Sequence, residues 1–323
     1  MENRKLYSLD LLRGIAGYGV AITHYFYFVH QIKIFEYYSF IFVEIFFVLS
    51  GFVLSNQLVK IHNNKKNLKV FYYRRWLRTI PLYFVALIFY TAISNNFNFD
   101  FFKFLFFLQK MLPNFADKDY FMVAWSLSIE EFFYLIFPIY LIIFNKKEPY
   151  KLTMYFIIFL IAAKILSHDY LSNDFLRTGT ILRLDSIAFG FLLSFYYLKI
   201  INFKKSIILF ASVLIFIFIN YQKSFFTNSS IFTVYFIILS QSLSVFIVLL
   251  FYNLETLIKN NYFKSICNIL ATQTYSVYLF HLIIMHFLIM IDNVFINNLF
   301  VYIFILFISS TIIFKYFEKP ILK

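Results

Sequence analysis

Arg13 and His24 stand eleven residues apart in a stretch, Leu9 to His24, whose other charged member is Asp10. At about 100° per residue, that spacing on a helix is three turns plus roughly 20°. The two side chains therefore share one face, about 16 Å apart along the axis, with Asp10 close to the same stripe. A guanidinium grips anionic groups, and an imidazole serves as base or nucleophile. In a segment otherwise apolar enough for a bilayer, an arginine at the centre costs about 2.5 kcal/mol or more, which makes both residues functional candidates.

Four further constellations have the residue types for chemistry. Arg75-Trp-Leu-Arg78 lies just before Pro81, with Arg75 and Arg78 at i and i+3 and Arg74 and Arg78 at i and i+4. With Lys60, Lys65, Lys66 and Lys69 it forms a cationic rim suited to a polyanion such as a nucleotide-containing cofactor, because Arg binds phosphate bidentately. The same cluster equally suits a topology-setting group that touches anionic lipid. Glu44 sits alone within the apolar run Phe42 to Leu49 and must be paired, protonated or wet. An antiparallel helical pair would bring His24 and Glu44 into the same half of a membrane, where a carboxylate could fix the imidazole tautomer for general-base work; a structural hydrogen bond is the alternative. Trp125-Ser-Leu-Ser-Ile-Glu130-Glu131 is followed by Tyr134 and Pro138. Adjacent carboxylates on a helix project differently, so at most one lines a cavity with His24, and the other is an interface anchor or a substrate contact. Arg183 and Asp185, at i and i+2, are poorly placed to pair with each other, leaving each to serve another helix. His281 is a lone histidine on an apolar segment and reads as a satisfied core group ahead of a catalyst. His286 makes no metal pair with it, since five residues turn a helix by about 140°. No HExxH, CxxC, Walker loop or dinucleotide fingerprint is present, so neither a metal site nor nucleoside-triphosphate chemistry is expected.

The elements that must hold these residues are membrane helices. Of 323 residues, 62% are hydrophobic and only 14% charged, about half the charged fraction of a soluble domain. The pattern predicts an all-α polytopic membrane protein with about ten transmembrane helices, near 9–30, 38–56, 79–95, 124–144, 152–168, 180–198, 206–221, 231–252, 271–291 and 298–317. Asp10 and Arg13 interrupt what would be the apolar core of a cleavable signal peptide, so the first helix is expected to stay. The single cysteine, Cys267, excludes an internal disulfide and a thiolate cluster. Outside the spans, nineteen Lys and Arg fall on one side, from Arg4 through the Lys60–Arg78 group to Lys323. Six fall on the other: Lys33, Lys103, Lys110, Lys118, Arg177 and Lys223. That asymmetry predicts both termini in the cytoplasm. Net charge is +13, but it is spread over loops between spans, which argues for topology rather than nucleic acid. The longest outward segment, about 96–123, is aromatic and either lies in the interface or dips back into the protein. One polytopic domain over 1–323, without a soluble C-terminal domain, is the economical organisation.

The order of motifs resembles the acyltransferase-3 family of integral membrane acyltransferases. The matching stretches are Leu9-Asp-Leu-Leu-Arg13-Gly-Ile-Ala with His24; Phe46-Phe-Val-Leu-Ser-Gly-Phe52; Tyr73-Arg-Arg75-Trp-Leu-Arg78-Thr-Ile-Pro81; Trp125 to Tyr134; Arg183-Leu-Asp-Ser-Ile-Ala-Phe-Gly190; Tyr275-Ser-Val-Tyr-Leu-Phe-His281; and Glu318-Lys-Pro320. Each alone is weak; their order over the whole chain is specific. The family often has Asp where Glu44 stands and Gln where Phe132 stands. The resemblance implies transfer of an acyl group, usually acetyl, from cytoplasmic acyl-CoA to a hydroxyl of a glycan or lipid-linked sugar. Acyl-CoA would be a co-substrate, with no permanently bound cofactor. Arg75 and Arg78 would hold CoA phosphates, and Arg13 would help position the donor. His24 would act as base or transient acyl carrier and Glu44 would orient it. Glu130 or Glu131 would contact the acceptor or complete the acid–base network. Some members carry an additional periplasmic hydrolase-like domain; this chain is expected to work without one or with a separate partner.

The rival is a transporter or flippase of lipid-linked saccharide whose buried ions couple to protons. It needs no phosphate grip, so Arg75→Ala and Arg78→Ala separate the two. A non-catalytic scaffold would be indifferent to His24→Ala.

Overall fold

The computed structural model describes residues 5–117, 120–200, 205–222, 229–291 and 298–321. Of the cationic loop positions, Arg4, Lys118, Lys204, Lys223 and Lys323 lie outside the described residues. Regular structure among the described residues is helical throughout, as the apolar runs require: in a bilayer every backbone N–H and C=O must be satisfied within the segment. The helices are α1 (Tyr7–Phe28), α2 (Ile34–Asn63), α3 (Asn67–Ser94), α4 (Asp100–Leu105), α5 (Ala124–Ile143), α6 (Pro149–Ser167), α7 (Asn173–Thr178), α8 (Leu184–Ile200), α9 (Lys205–Gln222), α10 (Ser230–Leu254), α11 (Asn261–Ile291) and α12 (Leu299–Ile313). After α12 one π-helical turn, Phe314–Glu318, precedes a last helical turn, Lys319–Ile321.

Local chemistry sets several boundaries. Pro149 opens α6 at a position where no intrahelical N–H is needed. Ser172 caps α7 by accepting from the Phe175 N–H, and Asn298 caps α12 by accepting from Phe300 and Val301. Hydroxyls inside the helices bond back to the preceding turn: Thr23 to Gly19 O, Thr91 to Leu87 O, Thr153 to Pro149 O. Each is thereby satisfied without water.

Seven helical segments are long and apolar enough to cross a membrane among the described residues: α2, α3, α5, α6, α10, α11 and the run from α12 to Ile321. The sequence count of about ten is three higher. The difference falls on α1, which carries Asp10 and Arg13; on α8, with 17 residues; and on α9, of which Ile207–Phe218 is the described apolar stretch.

The chain forms two compact units. One comprises Glu44–Tyr72 and Phe106–Leu254; the other comprises Lys5–Val43, Tyr73–Leu105 and Glu255–Lys323. In the first, α2 and α8 approach backbone to backbone at two glycines. A Cβ on Gly51 would strike the Ile187 carbonyl, and one on Gly190 would strike that of Val48. Small residues at a helix crossing are the membrane route to close packing. The stretch after α4 turns into this unit: Phe107, Gln109 and Phe121 are buried, the Gln109 amide donates to Ala124 O at 2.9 Å, and Thr180 N donates to Lys110 O at 2.9 Å. Of the two alternatives for 96–123, the part beyond Leu105 takes the inward one. In the second unit α1 lies against α11, and α12 packs on α11 in turn.

Candidate active site

Within the second unit, α1 and α11 run in the same direction at nearly constant register. A Cβ on Gly14 would meet Leu270, the Tyr18 hydroxyl donates to Gln273 Oε1 at 2.9 Å, and His24 Nδ1 lies 2.8 Å from His281 Nε2. The last contact joins the leading histidine of the sequence to the one expected to be core. Ring centroids are 5.1 Å apart with planes 23° off parallel. That separation exceeds the nitrogen–nitrogen distance by little more than the two ring radii, so the rings meet edge to edge rather than face to face. His281 is fully buried, and its Nδ1 lies 2.7 Å from the Tyr278 carbonyl one turn back. Tyr302 Oη donates to the His281 carbonyl at 3.1 Å, tying α12 to the same point. His24 is half-buried.

Arg13 sits three turns before His24, ion-paired with Asp10 at 3.7 Å; Asp10 also faces Lys5 at 3.7 Å. On α3, Arg75 is half-buried and Arg78 exposed. The Tyr275 hydroxyl of α11 donates to the carbonyl of Thr79, the next residue, at 2.6 Å. Tyr275 and His281 are six residues apart on one helix, about 9 Å of rise. The arginine segment and the imidazole pair are thus held by a single rod. Pro81, within α3, removes one backbone donor from the helix just past the arginines. Glu318, in the π-helical turn, is buried within electrostatic reach of Arg78. A π turn is rare and frequent at functional sites. The sequence offered Glu318 only as part of a motif, because the partner that gives it a place is 240 residues away.

The first unit holds the remaining candidates. Glu44 is ion-paired with Arg183, and Lys164 of α6 with Asp185; all four side chains are fully buried. Arg183 and Asp185 each serve another helix, as their i, i+2 spacing predicts. Glu44 was put forward as the group orienting His24; its described partner is Arg183, and that of His24 is His281. Glu130 is half-buried and accepts from Tyr134 Oη at 3.4 Å, while Tyr134 Oη also lies 3.2 Å from Ser50 Oγ. Glu131, 7% exposed, projects differently, as neighbours on a helix must. Lys164 was not singled out by the sequence: inside an apolar run it looks like a topogenic lysine until Asp185 is seen beside it. Among the described residues no group of three or more His, Cys, Asp or Glu could hold a metal ion.

An acyltransferase-domain family matches this chain over residues 6–316. The chain belongs to the acyltransferase-3 family. Its long apolar helices are those of a multi-pass membrane protein. Among relatives, it is 35% identical over 132 residues to the peptidoglycan O-acetyltransferase OatA of Listeria monocytogenes, covering 34% of this chain and 21% of that protein. It is 25% identical over 362 aligned positions to a provisionally named O-acetyltransferase of Staphylococcus aureus strain COL, covering 99% of this chain and 58% of the relative. An uncharacterised protein of Haemophilus influenzae is 30% identical over 154 residues, 42% of this chain and 62% of its own length. The chain thus spans less than two thirds of the length of each of these relatives. No solved structure matches it. In this member of the acyltransferase-3 family the arginine pair Arg75 and Arg78 and the histidine His24 lie in one compact unit.

Proposed function

We propose that this acyltransferase moves an acyl group, acetyl in the first instance, from cytoplasmic acyl-CoA to a hydroxyl of a surface or lipid-linked glycan. One observation carries the reading: the same helix, α11, bonds both to the backbone beside Arg78 and to His24, so a cationic phosphate grip and a base share one scaffold. Arg75 and Arg78 hold the CoA phosphates, and Arg13, three turns from His24, steers the donor toward it. His24 takes the proton of the acceptor hydroxyl as its oxygen bonds the acyl carbon; the carbon–sulfur bond breaks, and the proton passes to the departing CoA thiolate. Glu130 and Glu131 are the acceptor-contact candidates of their own unit. The names of the O-acetyltransferase relatives support acetyl as the group and a cell-envelope glycan as acceptor.

The topology proposed with it has ten spans and both termini on the cytoplasmic face of the inner, or plasma, membrane. Parallel α1 and α11 require an odd number of crossings between them. Five strongly apolar helices intervene, so α8 and α9 either both cross or both do not. Their crossing gives ten once α1, aligned along α11, is included.

Mass spectrometry of envelope glycans from cells with wild-type protein, His24→Ala or no protein tests this. O-acyl esters present only with wild type support the reading; equal O-acylation in all three sinks it. The buried pairs Glu44–Arg183 and Lys164–Asp185 favour the transporter reading to the extent that membrane-buried ions mark proton paths. That reading requires Arg75→Ala and Arg78→Ala to be silent.

A further inference from the structure

We propose that His281 is a positioning residue for the transfer reaction. It holds His24 as the Nδ1–H tautomer and leaves Nε2 as the atom that receives the acceptor's proton or the acyl group. The proposal rests on reading His24 as the reacting imidazole.

One atom at this contact has fixed polarity. The Tyr278 carbonyl can only accept, so the nitrogen 2.7 Å from it, His281 Nδ1, carries a hydrogen. A neutral imidazole with its proton on Nδ1 presents a lone pair at Nε2. That lone pair faces His24 Nδ1 at 2.8 Å, and two lone pairs cannot face each other at that distance, so His24 Nδ1 donates. Neutral His24 then has one unprotonated nitrogen, Nε2. The edge-to-edge arrangement of the rings aims the donated hydrogen along the lone pair.

The opposite polarity would need His281 to carry two protons. That would be a buried charge, and among the described residues no carboxylate forms an ion pair with either imidazole. An unpaired buried cation is expensive, so the neutral chain is the stable one. Rigidity comes from α12: Tyr302 bonds the His281 carbonyl and stacks on Tyr25, the neighbour of His24, with centroids 5.4 Å apart. An imidazole acceptor gives the orientation a carboxylate would give, without adding a net charge to an apolar helix pair. When Nε2 gains the acceptor's proton, His24 becomes an imidazolium whose Nδ1 proton is already shared with His281 Nε2. The charge is stabilised where it forms, and the proton leaves from Nε2 to the CoA thiolate.

The test uses the full chain in lipid nanodiscs, labelled with 15N-histidine, with the His24 resonances assigned by their loss in His24→Asn. Transfer from acetyl-CoA is followed in membranes containing native envelope glycan. His281→Gln can place an amide oxygen near the position of Nε2 and keep an acceptor; His281→Met fills the volume without one. In wild type, His24 Nδ1 should be protonated and Nε2 bare. His281→Met should mix the tautomers and lower kcat on the order of 10²-fold with KM for acetyl-CoA unchanged, whereas His281→Gln should keep the tautomer and stay within about tenfold of wild-type kcat. A wild-type His24 protonated at Nε2 would overturn the proposal. So would His281→Met with wild-type kcat, or equal losses in two folded variants. Unchanged acetylation in His24→Asn would overturn the underlying reading of His24 and is told apart by which residue is silent. The wild-type spectrum decides the hydrogen-bond polarity even if both His281 variants fail to fold.

Discussion

Glu44 and Arg183 show what a single buried charge is worth. Both are fully enclosed, so removing one leaves the other desolvated and uncompensated. Glu44→Ala should lower stability by about 3–5 kcal/mol, read as a fall in thermal midpoint in detergent. Glu44→Met combined with Arg183→Leu should cost less than either single change, because no orphan charge remains; a double variant as unstable as the sum of the singles would contradict the pair. At this scale the sequence was informative about need but silent about partner. The i, i+2 spacing of Arg183 and Asp185 disfavours mutual pairing, and each does bond elsewhere. A lone mid-span Glu44 must be paired, protonated or wet, and the partner it finds, Arg183, is 139 positions away, a separation no local periodicity encodes. His281 was weighed as core for the same reason: its partner lies on the first helix.

At the scale of elements, the two rods to perturb are the α2–α8 crossing and α11. Gly190→Ala places a methyl against the Val48 carbonyl, backbone that cannot swing away. It should destabilise by about 1–3 kcal/mol, as overpacking does, while a serine or threonine on an open helix face should not. Thermal unfolding of Gly190→Ala at the wild-type midpoint would show that the helices are not in contact there. On α11, Tyr275→Phe removes a hydrogen bond worth about 1 kcal/mol to the carbonyl beside Arg78. If α11 sets the arginine grip, KM for acetyl-CoA should rise roughly fivefold with kcat little changed. A loss in kcat alone would place Tyr275 with the chemistry instead. The helices were legible in the sequence because apolar runs in a bilayer leave the backbone no other state. Their number was less so: α1 is charged and α8 is short, which places them where length and composition stop deciding.

For the whole molecule the claim is topological. The single cysteine makes it testable: with Cys267→Ala as background, one cysteine is introduced at Lys66, Lys146 or Leu112. An impermeant thiol reagent added to intact cells should label Leu112→Cys only, with Lys66→Cys and Lys146→Cys labelled after the membrane is opened. Labelling of Lys66→Cys from outside would invert the orientation and put the arginine grip away from cytoplasmic acyl-CoA.

The central claim joins that orientation to chemistry, and labelled acetyl-CoA tests it most directly. Inside-out membrane vesicles containing native envelope glycan are given radiolabelled acetyl-CoA, and label in glycan is measured for wild type, His24→Ala and Arg75→Ala/Arg78→Ala. The account predicts incorporation by wild type, none above background for His24→Ala with the protein still folded, and a raised acetyl-CoA requirement for the double arginine variant. Wild-type incorporation by His24→Ala would contradict it.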